Sequence, residues 1–195
     1  MHSHTPTPPL TVPLIFDELT RFDNRRLDAL MASAAVPTVS DLVGYDFRGW
    51  NIQALTEIIG TRKFIKGFYA GTVPERTWGY NMPVLQNGRD QPWLPKVKDG
   101  QPIRYYFFGV VPGSALSDAI YPHSLVVDYR QWPGYSDVNP VKYTVDYLVF
   151  PDPGNRDLLV GKSYAQLTKS IRPFLGFFIL ARLKPSDYAG PKSGT

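Results

Sequence analysis

Leu42-Val43-Gly44-Tyr45-Asp46-Phe47-Arg48-Gly49-Trp50-Asn51 is the stretch on which the fold turns. Large residues alternate between two glycines, which suits a strand that opens a sheet and bends sharply at both ends. The alternation recurs downstream. Phe64, Lys66 and Phe68 alternate with Ile65 and Tyr69; Trp78, Tyr80, Met82 and Val84 share a face; residues 103–111 are apolar on both faces. In 125–132, Leu125, Val127 and Tyr129 alternate with Val126, Asp128 and Arg130. In 143–150, Tyr143, Val145, Tyr147 and Val149 face away from Asp146 and Leu148. Asp152-Pro153-Gly154-Asn155 is a turn that returns the chain through 158–167, and 174–183 closes the set. Gln86-Asn87-Gly88 is a further turn signal.

Counted this way, about eight strands follow one another at short spacing, in one domain with no internal repeat. Strands apolar on both faces arise when one face lines a cavity and the other is covered. The expected fold is mainly β: a closed antiparallel barrel of about eight strands, wide enough to hold one small ligand. A helical segment precedes it over 14–35. Asp23 suits an N-cap, Leu27, Leu30, Met31 and Ala34 fall on one face, and Phe16, Leu19 and Phe22 extend the stripe until Pro37 stops it. This helix either packs on the sheet or lids the barrel, and packing is the expectation. After the opening strand, Asn51 can cap a short helix with Ile52, Leu55 and Ile59 on one face and Gly60 past its end. Residues 1–13 read as a flexible arm, 14–183 as the barrel domain with its helix, and 184–195 as a flexible tail.

Composition narrows the function classes. Aromatics make up 14% of the 195 residues against 19% charged, which excludes wholesale disorder, and 19 Pro with 16 Gly are too many for a helical bundle. The net charge of +4 is mild, and the basic residues are scattered apart from Arg62, Lys63 and Lys66, so no nucleic-acid partner is expected. With no cysteine, disulfides, thiolate metal sites and a cysteine nucleophile are excluded. The start lacks an apolar leader and no apolar run reaches membrane-spanning length, so the expectation is a cytoplasmic protein without a membrane span. His2 and His4 sit in the arm without fixed geometry, and neither a metal nor a cofactor is expected. A homodimer is left open.

Leu42-Val43-Gly44-Tyr45-Asp46-Phe47-Arg48-Gly49, followed by Lys63-Phe64-Ile65-Lys66-Gly67-Phe68, resembles bacterial proteins built from a domain named for a G-x-W-x-G motif and its C-terminal companion. The second half is similar as well, through Leu125-Val126-Val127-Asp128-Tyr129, Tyr147-Leu148, Leu158-Leu159-Val160-Gly161-Lys162 and Phe177-Phe178-Ile179-Leu180-Ala181-Arg182. The likeness covers residues 38 to 183. The motif tryptophan is replaced: Tyr45 or Phe47 stands near its place, and Trp50 follows the second glycine. The resemblance implies a calycin-like barrel and brings no agreed catalytic set.

Few residues present themselves for chemistry. His123, beside a strand entry, is the natural general acid or base, or a loop histidine with no role. Asp128 and Arg130 share a face: if it is the interior they pair and could hold a polar head group, and if it faces water they are ordinary surface charges. Lys162 and Tyr164 share a face of a late strand beside Gln166. Inside an apolar barrel Lys162 would have a depressed pKa and could serve as a base or Schiff-base amine; at a rim it would snorkel. Asp146 and Lys66 pose the same question. Tyr80, Tyr105, Tyr106, Tyr129 and Tyr147 either direct hydroxyls into a cavity or fill the core. No metalloprotease, P-loop, nucleophile-elbow or dinucleotide motif is present.

The sequence supports three readings. In the first, the barrel binds a hydrophobic small molecule of acyl, isoprenoid or polyketide type. Trp50, Phe68, Tyr80, Tyr106, Tyr147 and Tyr164 line the site, and Arg104 or Arg130 meets a carboxylate. In the second, the same cavity houses a cofactor-free isomerase, cyclase or lyase, with Asp128, His123, Tyr129 and Lys162 as catalytic candidates; these must then converge in one pocket. The third is a protein-interaction module with a filled core and an exposed aromatic patch.

Overall fold

The computed structural model describes residues 14–53, 55–58, 60–71 and 76–191. The arm with His2 and His4, and Ile59 of the short helix, lie outside the described residues.

Strand β1 (Tyr45–Asn51) begins after Gly44, whose φ of 82° turns the chain into it. Then come β2 (Lys63–Ala70), β3 (Thr77–Pro83), a small separate hairpin of β4 (Val97–Lys98) and β5 (Gln101–Pro102), and β6 (Tyr105–Pro112). The second half adds β7 (Leu125–Asp128), β8 (Thr144–Val149), β9 (Leu158–Ala165) and β10 (Phe174–Pro185). Leaving the small hairpin aside, each strand pairs antiparallel with the next, and β10 returns to pair with β1. The result is a closed, eight-stranded up-and-down barrel of lipocalin-like architecture. The second bend of β1 is a register shift between Asp46 and Phe47 rather than a turn at Gly49. Gly49 instead leaves room for the Phe64 ring, which would lie 2.4 Å from an added Cβ.

Both faces of the strands are apolar because both are buried. One set fills the lumen: Phe47, Phe68, Phe108, Val127, Leu148, Leu159 and Leu180. The alternate set, including Ile65, Tyr80, Val145, Tyr147, Val160 and Phe177, lies outside, under α1 (Phe16–Leu19) and α2 (Asn24–Ser33). The helical segment therefore packs on the outer wall. Asp23 caps α2 by accepting the Arg26 N–H at 2.8 Å, and Leu27 and Met31 are its buried residues. The short α3 (Val39–Leu42) closes the far end of the barrel with the fully buried Leu42. Near the opposite end, α4 (Leu55–Ile58) lies between β1 and β2. Asn51 does not cap it: the side-chain amide donates to the Thr61 carbonyl at 2.6 Å.

Three expected boundaries move. The strand read through Trp132 stops at Asp128, because the Asp128 carboxylate accepts the Arg130 N–H at 3.0 Å and folds the chain into a 3-10 turn over Tyr129–Gln131. The turn signalled at Gln86–Gly88 opens a longer reversal, in which the Leu85 N–H donates to the Leu94 carbonyl at 3.0 Å and the loop between them wraps Lys63. The segment read as a flexible tail from Lys184 continues β10 to Pro185. It then lays Tyr188 edge-on against Tyr69 and Tyr80, with ring centroids 5.2 and 4.8 Å apart. No helix among the described residues is long and apolar enough to cross a membrane.

Candidate functional site

The lumen is not packed along its whole length. Below, phenylalanine and aliphatic side chains fill it: Phe68 meets Phe47 and Phe108 edge-on at 5.6 and 5.7 Å. Above them is a cavity of about 180 Å³, open at the end where β2, β6 and β8 begin. Phe64 and Phe178 wall it, meeting edge-on at 5.8 Å, and Tyr105, Tyr106, Thr144 and Asn51 stand around the mouth. Tyr106 holds a φ of 50°, uncommon for a bulky residue, which turns the start of β6 at the rim.

The floor of this cavity is polar. Lys66 projects inward from β2 between Phe64 and Phe68 in sequence, and only 1% of it is exposed. Its Nζ donates to Tyr129 Oη at 2.8 Å and to Asp146 Oδ2 at 3.1 Å. Asp146, inward-facing on β8, also accepts from Ser163 Oγ at 2.6 Å. Asn81 Nδ2 donates to Tyr129 Oη at 3.0 Å and to the Tyr106 carbonyl at 3.1 Å, tying the floor to the rim. Each member comes from a different strand or from the turn after β7, so the cluster exists only once the barrel has closed.

Electrostatics follow from burial. Burial holds the Lys66 ammonium below the ordinary lysine range, and the charge of Asp146 pulls it partly back. The Tyr129 phenol is pushed well above its ordinary value by burial, with the charge of Asp146 adding to the effect. Tyr129 Oη accepts two hydrogen bonds, and no acceptor among the described residues takes its own proton. Lys66 uses two of its three N–H bonds in the same way, with the Phe108 ring 4.5 Å and the Phe178 ring 5.4 Å from Nζ. The site therefore offers two spare donors on a buried floor, beneath aromatic walls. That arrangement can hold an acceptor oxygen and pass a proton.

The sequence-selected residues divide between the two sides of the wall. Tyr129, Phe68 and Tyr106 belong to the lumen: Tyr129 on the cavity floor, Tyr106 at its mouth, and Phe68 in the packed layer beneath. Asp128 faces outward and binds Arg130 through two side-chain hydrogen bonds, both 2.8 Å. His123 is exposed in the loop before β7. Trp50 lies on the outer side of β1 with the Arg62 guanidinium 5.4 Å from its ring. Tyr80 donates outside the barrel to Asp46 Oδ1 at 2.7 Å, and the Arg104 guanidinium lies 4.1 Å from the Tyr188 ring. Tyr147 accepts the Ile120 N–H at 3.1 Å, and Tyr164 meets Tyr121 through their hydroxyls at 3.3 Å.

Asp128, His123, Tyr129 and Lys162 thus do not converge in one pocket. Lys162 is outside, bound to Asp28 of α2 and, at 2.7 Å, to Tyr121 Oη. Burial alone would lower its pKa, but the hydrogen bonds that its ammonium donates to Asp28 and Tyr121, with Tyr164 adding to them, outweigh burial and hold it above the ordinary range. Of the lysines for which an interior, depressed amine is one alternative on sequence, Lys162 lies outside and Lys66 inside. Asn81, Ser163, Phe64 and Phe178 were missed. Glycines were the available signal, since the Phe64, Phe108 and Phe178 rings lie over Gly49, Gly79 and Gly161 in the lumen. The signal is ambiguous, because Gly67 seats Tyr80 on the outside.

Among the described residues no group of three His, Asp or Glu could hold a metal ion. Comparison with protein-family models, with curated proteins and with solved structures finds no match for this chain.

Proposed function

We propose that the barrel is a binding protein for a compact organic molecule that enters the open end and sets an oxygen function on Lys66 and Tyr129. The observation that carries this reading is the unfilled upper lumen, floored by spare buried donors. A protein that needed only a core would fill that space with side chains, as the lower lumen does. Ligand pockets usually measure about 300–1,000 Å³. The 180 Å³ here favours a small, partly aromatic or conjugated ligand over a long acyl or isoprenoid chain. Phe64, Phe178 and the mouth tyrosines would hold its apolar body.

Membership of the G-x-W-x-G family is part of the same proposal. The segments that carry the resemblance fall on β1, β2 and β7 to β10, which supports it.

A second reading, cofactor-free acid–base catalysis, is favoured by the convergence of Lys66, Asp146 and Tyr129 within hydrogen-bond reach. Screening small aromatic alcohols, ketones and carboxylates by NMR tests both readings. Binding should perturb resonances of β2 and β8 residues around the floor. Tyr129→Phe keeps the ring and removes one donor, so affinity should fall about tenfold, or about 1.4 kcal/mol. Ligands that perturb only the outer wall would sink the proposal, and turnover of a bound compound would move the second reading ahead.

A further inference from the structure

We infer that Lys66 forms a covalent imine with a small aldehyde or ketone held in the lumen, with Asp146 and Tyr129 managing the protons. This rests on the lumen being a ligand site, and names the carbonyl function as what the site recognises.

The argument starts from position. Among the described residues the Lys66 amine is the one amine on the cavity floor, and its Nζ lies among the Phe108, Tyr129 and Phe178 rings rather than in water. Burial favours the neutral amine, which is the nucleophilic form. Asp146 Oδ2, 3.1 Å away, is placed to take a proton from the nitrogen, and Ser163 Oγ at 2.6 Å holds that carboxylate in place. Tyr129 Oη, 2.8 Å from the same nitrogen, has both acceptor positions occupied by Lys66 and Asn81, so its proton is free to meet a carbonyl oxygen.

The step balances without any other reactant. The nitrogen lone pair attacks the carbonyl carbon, forming a C–N bond while the C=O π pair moves to oxygen, which takes a proton from Tyr129. Asp146 removes one nitrogen proton and the Tyr129 proton is restored from it, giving a neutral carbinolamine. Loss of the second nitrogen proton with the hydroxyl group then yields C=N and one water, which leaves by the mouth. Both hydrogens of the amine end on the carbonyl oxygen. A protonated imine would keep the ion pair with Asp146, and the phenylalanine walls limit the water that would hydrolyse it.

The test uses the whole wild-type protein at pH 7, with benzaldehyde as probe and cyanoborohydride to reduce any imine to a stable amine. Benzylated lysines are mapped by peptide mass spectrometry. Benzyl alcohol, equal in size but without a carbonyl, is titrated in parallel by NMR. Lys66 should be labelled at least about tenfold faster than the exposed Lys96 and Lys98, because the lumen holds the carbonyl carbon against the Lys66 amine while the exposed lysines meet the aldehyde only by collision. Benzyl alcohol should slow that labelling, and prior unfolding in urea should abolish the preference. Benzyl alcohol binding in the lumen without preferential labelling of Lys66 would overturn the imine and leave the ligand site standing. If neither binding nor preferential labelling occurs, both readings fall.

Discussion

Lys63 and Lys66 are both buried and stand three apart on β2, but they solve burial differently. Lys63 points outward and has no carboxylate partner among the described residues. Its ammonium is surrounded by four oxygens, Asn87 Oδ1 at 2.6 Å and the carbonyls of Gly88, Gln91 and Pro92 at 2.8, 2.9 and 3.3 Å, with the Trp93 ring at 4.0 Å. It organises the loop after β3. Lys63→Met should cost about 2–3 kcal/mol by orphaning those acceptors, and limited proteolysis should then cut between residues 84 and 96. Tyr80 offers a pH test. Burial pushes its phenol up to about 12, while the unfolded chain titrates near 10. Between those values the unfolded state loses its proton first, so stability falls as pH rises, by about 1.4 kcal/mol per pH unit. Tyr80→Phe should remove this share of the decline in urea unfolding, while other buried phenols such as Tyr69, Tyr105 and Tyr129 keep theirs. At neutral pH it should cost about 2 kcal/mol, because the buried Asp46 loses its phenol donor.

At the scale of elements, local chemistry explains what was legible. Asp23 marks the start of α2 with a side-chain cap, and Asp23→Ala should cost about 1 kcal/mol in a denaturant titration. The Asp152 turn also falls where its residues demand: the Asp152 carboxylate accepts the Gly154 N–H at 2.8 Å. Strand β9 shows what local pattern leaves out. A Cβ at Gly161 would stand 2.1 Å from the Phe178 ring of β10, so Gly161→Ala overpacks the lumen. It should destabilise by about 1–3 kcal/mol, and adding Phe178→Leu should restore part of that loss. A result in which Gly161→Ala is neutral would mean that the ring moves freely.

At the scale of the whole molecule, the Lys66–Asp146 pair is an expensive choice. Breaking a buried pair typically costs about 3–5 kcal/mol, yet replacing both partners with apolar groups is often neutral or stabilising. Lys66→Met alone should therefore destabilise strongly, while Lys66→Met with Asp146→Leu should approach wild-type stability in urea. The double variant should also lose ligand binding. Retention of binding by a stable double variant would make the pair a structural feature only.

The amino-acid sequence by itself determined the antiparallel barrel, its strand positions to within a few residues, and the helix ahead of it, because alternation, turn residues and caps are local signals. It could not decide which wall faces inward. Alternation tells that Lys162 and Tyr164 share a face, but where both faces are apolar it carries no sign of inside or outside. Lys66, Asp146 and Lys162 were therefore equivalent in sequence. Only closure of β10 onto β1 and the packing of α2 on the outer wall separated them. That packing paired Lys162 with Asp28 outside, and closure brought Lys66, Asp146, Tyr129 and Asn81 together from distant parts of the chain.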